Sequence, residues 1–68
     1  MSSVGEELPK EMARVRDVVM PAYAEIGPPG EFGLMMMRQS LDNAAKALAE
    51  GDVIAIIRAY EDLKGYEL

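Results

Sequence analysis

Hydrophobic and polar positions alternate along this chain with the period of a helix, in three separate stretches. In the first stretch the apolar residues recur at steps of four and three, which places them on one helix face. They are Leu8, Met12, Val15, Val19, Ala22 and Ile26. Pro9 suits the first turn of such a helix, where its missing N–H costs no hydrogen bond, and Glu11 complements the positive end of the helix dipole. The pattern predicts a helix over about residues 8–25.

Pro21 lies inside this first predicted helix. There it removes the hydrogen bond to the carbonyl of Asp17, and its ring crowds the preceding turn. The helix therefore either kinks or ends at Pro21. We favour a kinked continuation, because the apolar stripe stays in phase as far as Ile26. The sequence "GPPG", residues 27–30, then ends the segment, since such a run of prolines and glycines does not propagate a helix.

The second stretch is the clearest helix of the chain and is predicted to span residues 31–50. Its apolar face consists of Leu34, Met37, Leu41, Ala44, Ala45 and Leu48. Gly51 follows directly and is placed to cap the C-terminus. The third stretch predicts a helix over residues 53–64, with Asp52 as N-cap and Gly65 at its end. Its predicted buried residues are Val53, Ile56, Ile57, Tyr60 and Leu63.

The connection between the second and third predicted helices is only Gly51 and Asp52. So short a link predicts a tight antiparallel hairpin. With the first helix packed across it, the expected fold is all-α: a small three-helix up-down-up bundle forming a single domain over residues 1–68, with short flexible tails at 1–5 and 66–68. The β-branched run "DVIAII" could instead be a buried strand, although no second strand pattern is present to pair with it.

Composition narrows the chemistry that this domain can perform. The sequence of 68 residues contains no cysteine and no histidine. That removes disulfides, the usual ligands of zinc, iron–sulfur clusters and haem, and both His-based acid–base chemistry and a Cys nucleophile. We therefore expect no enzyme, no metal and no cofactor. A net charge of −5 repels a phosphate backbone, so direct nucleic-acid binding is not expected.

Targeting signals are absent from the pattern of the chain. The first ten residues, "MSSVGEELPK", show no basic region followed by an apolar run. No apolar stretch of about 18 residues occurs, which is the length that a membrane-spanning helix needs. The expectation is a cytoplasmic protein that does not enter membranes.

Two groups of residues could suggest a catalytic or phosphate-binding site. Carboxylates are paired or near each other in sequence at Glu6 and Glu7, Glu61 and Asp62, and Asp42 and Glu50. Catalytic acids need a desolvated cleft, whereas adjacent acids at helix ends normally lie in water, so we expect no catalytic residues among them. The corner "GPPGEFG" lacks the Walker lysine, and Glu31 would repel a phosphate. A rigid corner is the better interpretation, with Phe32 packed back on the core.

The run "GLMMMRQS" contains three consecutive methionines with different expected environments. Met37 falls on the buried face, Met36 at its flank and Met35 on the opposite side. Successive helical residues splay by about 100°, so the three sulfurs cannot bind one soft metal ion. One exposed apolar residue is common. Further apolar residues off the buried faces, together with flexible methionine, nevertheless suggest a surface for a partner. The candidate residues are Met20, Met35, Met36 and Ile54.

The three tyrosines have less specific interpretations. Tyr23 and Tyr60 are expected to place their rings in the core and their hydroxyls at the surface. Tyr66, beyond Gly65, is either a loose end or a residue folded over the bundle. The sequence leaves that choice open.

Two segments carry a resemblance to a known group of proteins. The corner from Ile26 to Gly33 and the ending from Gly51 to Gly65 resemble short uncharacterised proteins encoded in bacteriophages and prophages. That group shares an Ile-Gly-Pro-x-Gly-x-Phe-Gly corner and a Gly-Asp-Val ending that closes on Arg-Ala-Tyr-Glu-x-Leu-Lys-Gly. The resemblance implies a bacterial or phage origin and brings no activity or catalytic residue with it.

Taken together, the residues favour a small non-enzymatic interaction domain. We expect it to self-associate, as a homodimer, or to dock on a host protein through exposed apolar helix faces. The alternative is an acidic inhibitor that binds the basic groove of a nucleic-acid enzyme. Lysines and arginines are interleaved with the acids along the chain, which weakens that alternative. An enzyme would need convergent carboxylates in a deep polar pocket.

Overall fold

A computed structural model describes residues 3–68 of the chain, and helices account for most of them. In chain order the elements are α1 (Val4–Arg14), a π-helical turn (Val15–Val19), α2 (Met20–Ile26), a 3-10 turn (Pro28–Gly30), α3 (Glu31–Glu50) and α4 (Val53–Lys64). Residues 3–68 contain no strand, which confirms the predicted all-α class. The strand interpretation of "DVIAII" is wrong, because residues 53–57 form the start of α4.

The first helix begins earlier than its apolar stripe predicts. Ser3 is the N-cap, and its hydroxyl oxygen accepts a hydrogen bond from the backbone N–H of Glu6 at 3.3 Å. A serine in this role satisfies one of the unpaired N–H groups at the start of a helix. Pro9 therefore lies inside α1 rather than in its first turn. The tail predicted over residues 1–5 is also shorter, since residues 4 and 5 are helical, while 1 and 2 lie outside the described residues.

Pro21 is accommodated by a widened turn instead of a helix end. In the π-helical turn the N–H of Met20 donates to the carbonyl of Val15, five residues back. Such a turn holds one more residue than an α-helical turn, which gives the preceding backbone room for the proline ring. The helical segment therefore continues through Pro21 as far as Ile26, where Gly27 ends it with a positive φ of 82°.

The core lies where α1, α3 and α4 meet. Its buried apolar residues are Leu8, Val15, Val19, Met37, Ala44, Ala47, Ile56, Ala59 and Leu63. The helix α1 packs chiefly on α4, α2 packs on α3, and α3 packs on α4. Gly51, with a φ of 66°, ends α3, and the Asp52 carboxylate accepts a hydrogen bond from the Ala55 N–H at 3.1 Å to begin α4. The bounds of α3 and α4 coincide with those that the sequence predicts.

Several residues predicted to be buried are exposed. They are Ile26, Phe32, Ala45, Val53 and Ile57. In α3 and α4 the buried lines run instead through small residues, among them Ser40, Ala47 and Ala59. Small side chains allow helices to pack closely, so these lines face the neighbouring helices while the larger side chains beside them remain in water.

The corner between α2 and α3 explains the exposure of Phe32. Tyr23 of α2 reaches the start of α3, where a Cβ added to Gly33 would lie 2.7 Å from two atoms of its ring. A Cβ added to Gly30 would lie only 2.3 Å from the Tyr23 carbonyl oxygen. Tyr23 thus packs against the backbone of both glycines and fills the space beside the core. The Phe32 side chain is left 67% exposed.

The C-terminal residues fold back on the bundle. The Tyr66 hydroxyl lies 2.9 Å from the hydroxyl oxygen of Ser40, which is buried in α3. Tyr66 is half-buried and packs against the core, so of the two alternatives that the sequence leaves open for this residue, it is the one folded over the bundle. At the same end of α4, a guanidinium nitrogen of Arg14 donates to the carbonyl of Leu63 at 3.0 Å. These two long-range hydrogen bonds connect the end of α4 and the residue Tyr66 after it to α1 and α3.

Replacing Tyr66 with phenylalanine should lower the free energy of unfolding by about 1–3 kcal/mol, since it leaves the buried Ser40 hydroxyl without its partner. Urea unfolding followed by circular dichroism measures the change. Tyr60→Phe is the matched control, because the Tyr60 hydroxyl makes no hydrogen bond within residues 3–68 and its ring, over which Lys64 lies at 5.1 Å, is retained. Equal effects of the two substitutions would show that the hydroxyl pair contributes nothing.

Candidate interaction surface

The three methionines of α3 lie in three different environments. Met37 is fully buried, as predicted. Met35 is 55% exposed, again as predicted, and Met36 is exposed rather than at the boundary. Because successive helical side chains diverge by about 100°, only Met37 can reach the core.

The start of α3 presents large apolar side chains to solvent. Phe32, Met35 and Met36, here called the α3 cluster, are spaced by three and four residues, which puts Phe32 beside each methionine on the helix surface. Next to them is a shallow hollow of about 480 Å³, here called the α3 hollow. Its lining residues are Glu31, Phe32, Leu34, Met35 and Arg38. The lining thus combines three apolar side chains with one acid and one base.

The start of α4 presents a second group of apolar side chains. Val53, Ile54 and Ile57, here called the α4 cluster, are all exposed. Only Ile54 was predicted on this surface. The signal for the other two is present in the sequence: Ile56, Ala59 and Leu63 form a helical stripe of their own once alanine is counted as a core residue. That stripe leaves Val53 and Ile57 on the outer flank.

Met20 does not belong to the exposed surface. It is half-buried and packs against the core, whereas the sequence pattern places it off the apolar face of the first helix. The π-helical turn is the reason, because its additional residue rotates everything that follows relative to a regular α-helix. Met20 and Tyr23 are turned toward the core, and Ile26 is turned outward. A projection with a constant period cannot predict this shift.

A second shallow hollow of about 470 Å³ lies beside α4. It is lined by Asn43, Asp52, Ile54, Ala55, Arg58, Ala59 and Asp62. Asp52 already accepts the hydrogen bond that caps α4, and the basic Arg58 lies between the two acids in sequence. The polar groups of this hollow suit hydrogen bonds to a partner at its edge.

The acidic residues that could suggest catalysis lie on helix surfaces. Glu6, Asp42, Glu50, Glu61 and Asp62 are exposed. Glu7 is half-buried and pairs with Lys10 at 3.0 Å. Within residues 3–68 no group of three or more acidic side chains is placed to hold a metal ion.

The Arg16 and Asp17 side chains form an exposed ion pair at 2.8 Å. The hydrogen bond from the Arg16 guanidinium holds the pKa of Asp17 below its ordinary value, and the same bond raises the pKa of Arg16. Both shifts keep the pair charged near neutral pH. This is the behaviour of a surface ion pair rather than of a catalytic acid.

Comparison of the chain with models of protein families, with curated proteins and with solved structures gives no match. Among the helices that residues 3–68 form, none combines the length and the apolar character needed to cross a membrane. The surface itself is therefore the basis for a functional proposal.

Proposed function

We propose that this chain is a small non-enzymatic protein–protein interaction domain that binds through the α3 cluster and the α4 cluster. One observation carries the proposal: six large apolar side chains at the starts of these helices are each at least 45% exposed. Covering apolar surface is favourable by about 25 cal/mol per Å². Contiguous exposed apolar groups on a small protein are typical of interaction sites.

The types of residue in the α3 cluster support a protein partner. Aromatic residues and methionine are enriched in protein interfaces, and the flexible thioether adapts to different partner shapes. A small domain also gains from additional buried surface, because a core of this size supplies little stability by itself. The core of the described residues includes three alanines, so it is small even for this length.

We further propose that the helices are arranged up-down-up, and that this arrangement keeps the α3 cluster and the α4 cluster apart. The two-residue connection at Gly51 and Asp52 and the packing of α3 on α4 support an antiparallel hairpin. In such a hairpin the starts of α3 and α4 lie at opposite ends. The two clusters then serve separate contacts, and the domain acts in the cytoplasm as a small adaptor or assembly unit.

Site-specific photo-cross-linking tests the proposal. p-Benzoylphenylalanine is introduced at Phe32, at Ile54 or, as control, at Lys10, an exposed polar position of α1. After irradiation with lysate of the encoding cell, we expect protein adducts from Phe32 or Ile54 that excess wild-type chain suppresses. Excess of the Ile54→Asp/Ile57→Asp variant should not suppress the Ile54 adduct.

The mass of each adduct distinguishes its source. An adduct of twice the chain mass indicates self-association, and another mass indicates a foreign protein. Labelling at Lys10 equal to that at Phe32 and Ile54 would overturn the proposal, since it would show that the apolar clusters are not contact surfaces.

A further inference from the structure

The outward side of α3 carries a second helical stripe. Its members recur at steps of four and three, which is the spacing of the contact positions in a coiled coil. They are Glu31, Met35, Arg38, Asp42, Ala45 and Ala49, here called the α3 stripe, and all six are exposed. The buried line of α3, from Met37 to Ala47, lies about 150° away around the helix. The intramolecular core therefore leaves the α3 stripe uncovered.

The α3 stripe is complementary to itself when one copy is reversed. Arg38 stands as far before position 40 as Asp42 stands after it, and the same relation joins the other members in pairs. The pairs are Arg38 with Asp42, Met35 with Ala45, and Glu31 with Ala49. Two antiparallel helices related by a two-fold axis at this level bring the members of each pair face to face, as facing layers do in an antiparallel coiled coil.

Each facing pair has compatible chemistry. Arg38 of one copy lies opposite Asp42 of the second copy. Because of the two-fold symmetry, the same opposite-charge contact forms a second time between Asp42 of the first copy and Arg38 of the second. Neither side chain takes part in an ion pair within residues 3–68, so both are available for it. Met35 meets Ala45 of the second copy, where a large flexible side chain lies over a small one. Glu31, opposite Ala49, stays at the rim in water.

The α3 hollow gives an independent reason for this arrangement. It occupies the first half of α3, where Leu34 and Met35 provide its apolar lining. The second half of the α3 stripe has the small residues Ala45 and Ala49. When one copy is reversed, the second half of its α3, with these small side chains, packs over the α3 hollow of the other copy. Phe32 at the hollow's rim then lies next to Lys46 of the second copy, a pairing that suits an aromatic ring and a cation.

We propose that two copies of this chain form a closed two-fold dimer through an antiparallel α3–α3 contact along the α3 stripe. The proposal rests on the proposed function and names a second copy of the chain as the partner of Met35, the member of the α3 cluster that lies on the α3 stripe. The α4 cluster remains outside this contact.

Charge exchange tests the facing pair of Arg38 and Asp42. Arg38→Asp places acids opposite each other twice, and Asp42→Arg does the same with bases, so each should raise the dimer dissociation constant by about tenfold or more. The combined exchange should restore it to within about threefold of wild type. Sedimentation equilibrium from micromolar to millimolar concentration measures all four proteins, with Arg58→Asp on α4 as a control expected to match wild type.

Cysteine cross-linking tests the register, since the chain contains no native cysteine. A mixture of Met35→Cys and Ala45→Cys proteins should form a disulfide-linked heterodimer under mild oxidation. Either protein alone should cross-link several-fold less, because positions 35 and 45 face each other and not themselves. Equal cross-linking in the single-variant samples would overturn the antiparallel register.

The outcomes separate this inference from the proposed function. A wild-type chain that stays monomeric at millimolar concentration overturns the dimer. If p-benzoylphenylalanine at Ile54 still labels a foreign protein in that case, the proposed function stands without the dimer. Failure of the double charge exchange to restore association, with helicity unchanged by circular dichroism, overturns the contact between Arg38 and Asp42.

Discussion

Replacing Met37 with alanine is expected to lower the free energy of unfolding by about 2–5 kcal/mol. The side chain is fully buried, and its terminal methyl group reaches the corner, 3.8 Å from where a Cβ on Gly33 would lie. Truncation removes the contacts of this long side chain and leaves a cavity that backbone movement fills only partly. A domain of this size rarely has more than about 3–5 kcal/mol to lose. Most molecules of the variant should therefore be unfolded at urea concentrations at which the wild-type protein is still folded.

Met35→Ala is the matched control, because it makes the same chemical change on the same helix at a side chain that is 55% exposed. We expect a change within about 0.5 kcal/mol, the usual range for surface substitutions. Both variants are unfolded in urea at low micromolar concentration, where the dimer would contribute little, and followed by circular dichroism at 222 nm. Equal losses at Met35 and Met37 would contradict the placement of Met37 in the core.

Local features of the sequence are sufficient to predict α3 and α4. Gly51, Asp52 and Gly65 end and begin helices through bonds to their own neighbours, so their effect does not depend on the rest of the fold. The same is true of the geometry around Met35, because a regular helix fixes which side chains share a face. These are the parts of the structure in which prediction and observation agree.

Prediction fails where the period of the apolar stripe does not reveal the feature that decides the outcome. The Ser3 cap was overlooked because the apolar stripe begins only at Leu8. The π-helical turn shifts the phase of the segment that follows it, which moves Met20 inward and Ile26 outward. Tyr66 is ordered by a hydroxyl in α3, a contact between residues far apart in sequence. None of these effects has a periodic signature.

The candidate surface was predicted only in part for a related reason. Hydrophobicity predicts Phe32, Val53 and Ile57 as core residues, yet all three are exposed. Alanines occupy the close helix contacts, and the larger apolar residues lie outside them. Counting Ala59 as a core position of α4 would have placed the α4 cluster correctly. The volume available inside the bundle, which the sequence does not specify, decides which apolar residues remain outside.

Replacing Gly30 with alanine is expected to lower the free energy of unfolding by about 3 kcal/mol or more. The backbone of Gly30, with φ −86° and ψ −9°, is one that alanine adopts without strain. The cost comes from contact alone, since the added Cβ would lie 2.3 Å from the carbonyl oxygen of Tyr23. That oxygen belongs to the backbone and cannot rotate away. Relief requires the corner to open and α2 to move away from α3.

Gly5→Ala makes the same change where there is space. Gly5 lies in α1, and its nearest neighbour for an added Cβ is the Ser3 hydroxyl oxygen at 3.7 Å. Alanine loses less backbone entropy than glycine in a helix, so this variant should be more stable than wild type by about 0.5–1 kcal/mol. Urea unfolding should thus show a lower free energy of unfolding for Gly30→Ala and a higher one for Gly5→Ala, although the chemical change is the same. If Gly30→Ala proves as stable as Gly5→Ala, Tyr23 does not pack on the Gly30 backbone, and the path of the chain through the corner differs from the one described.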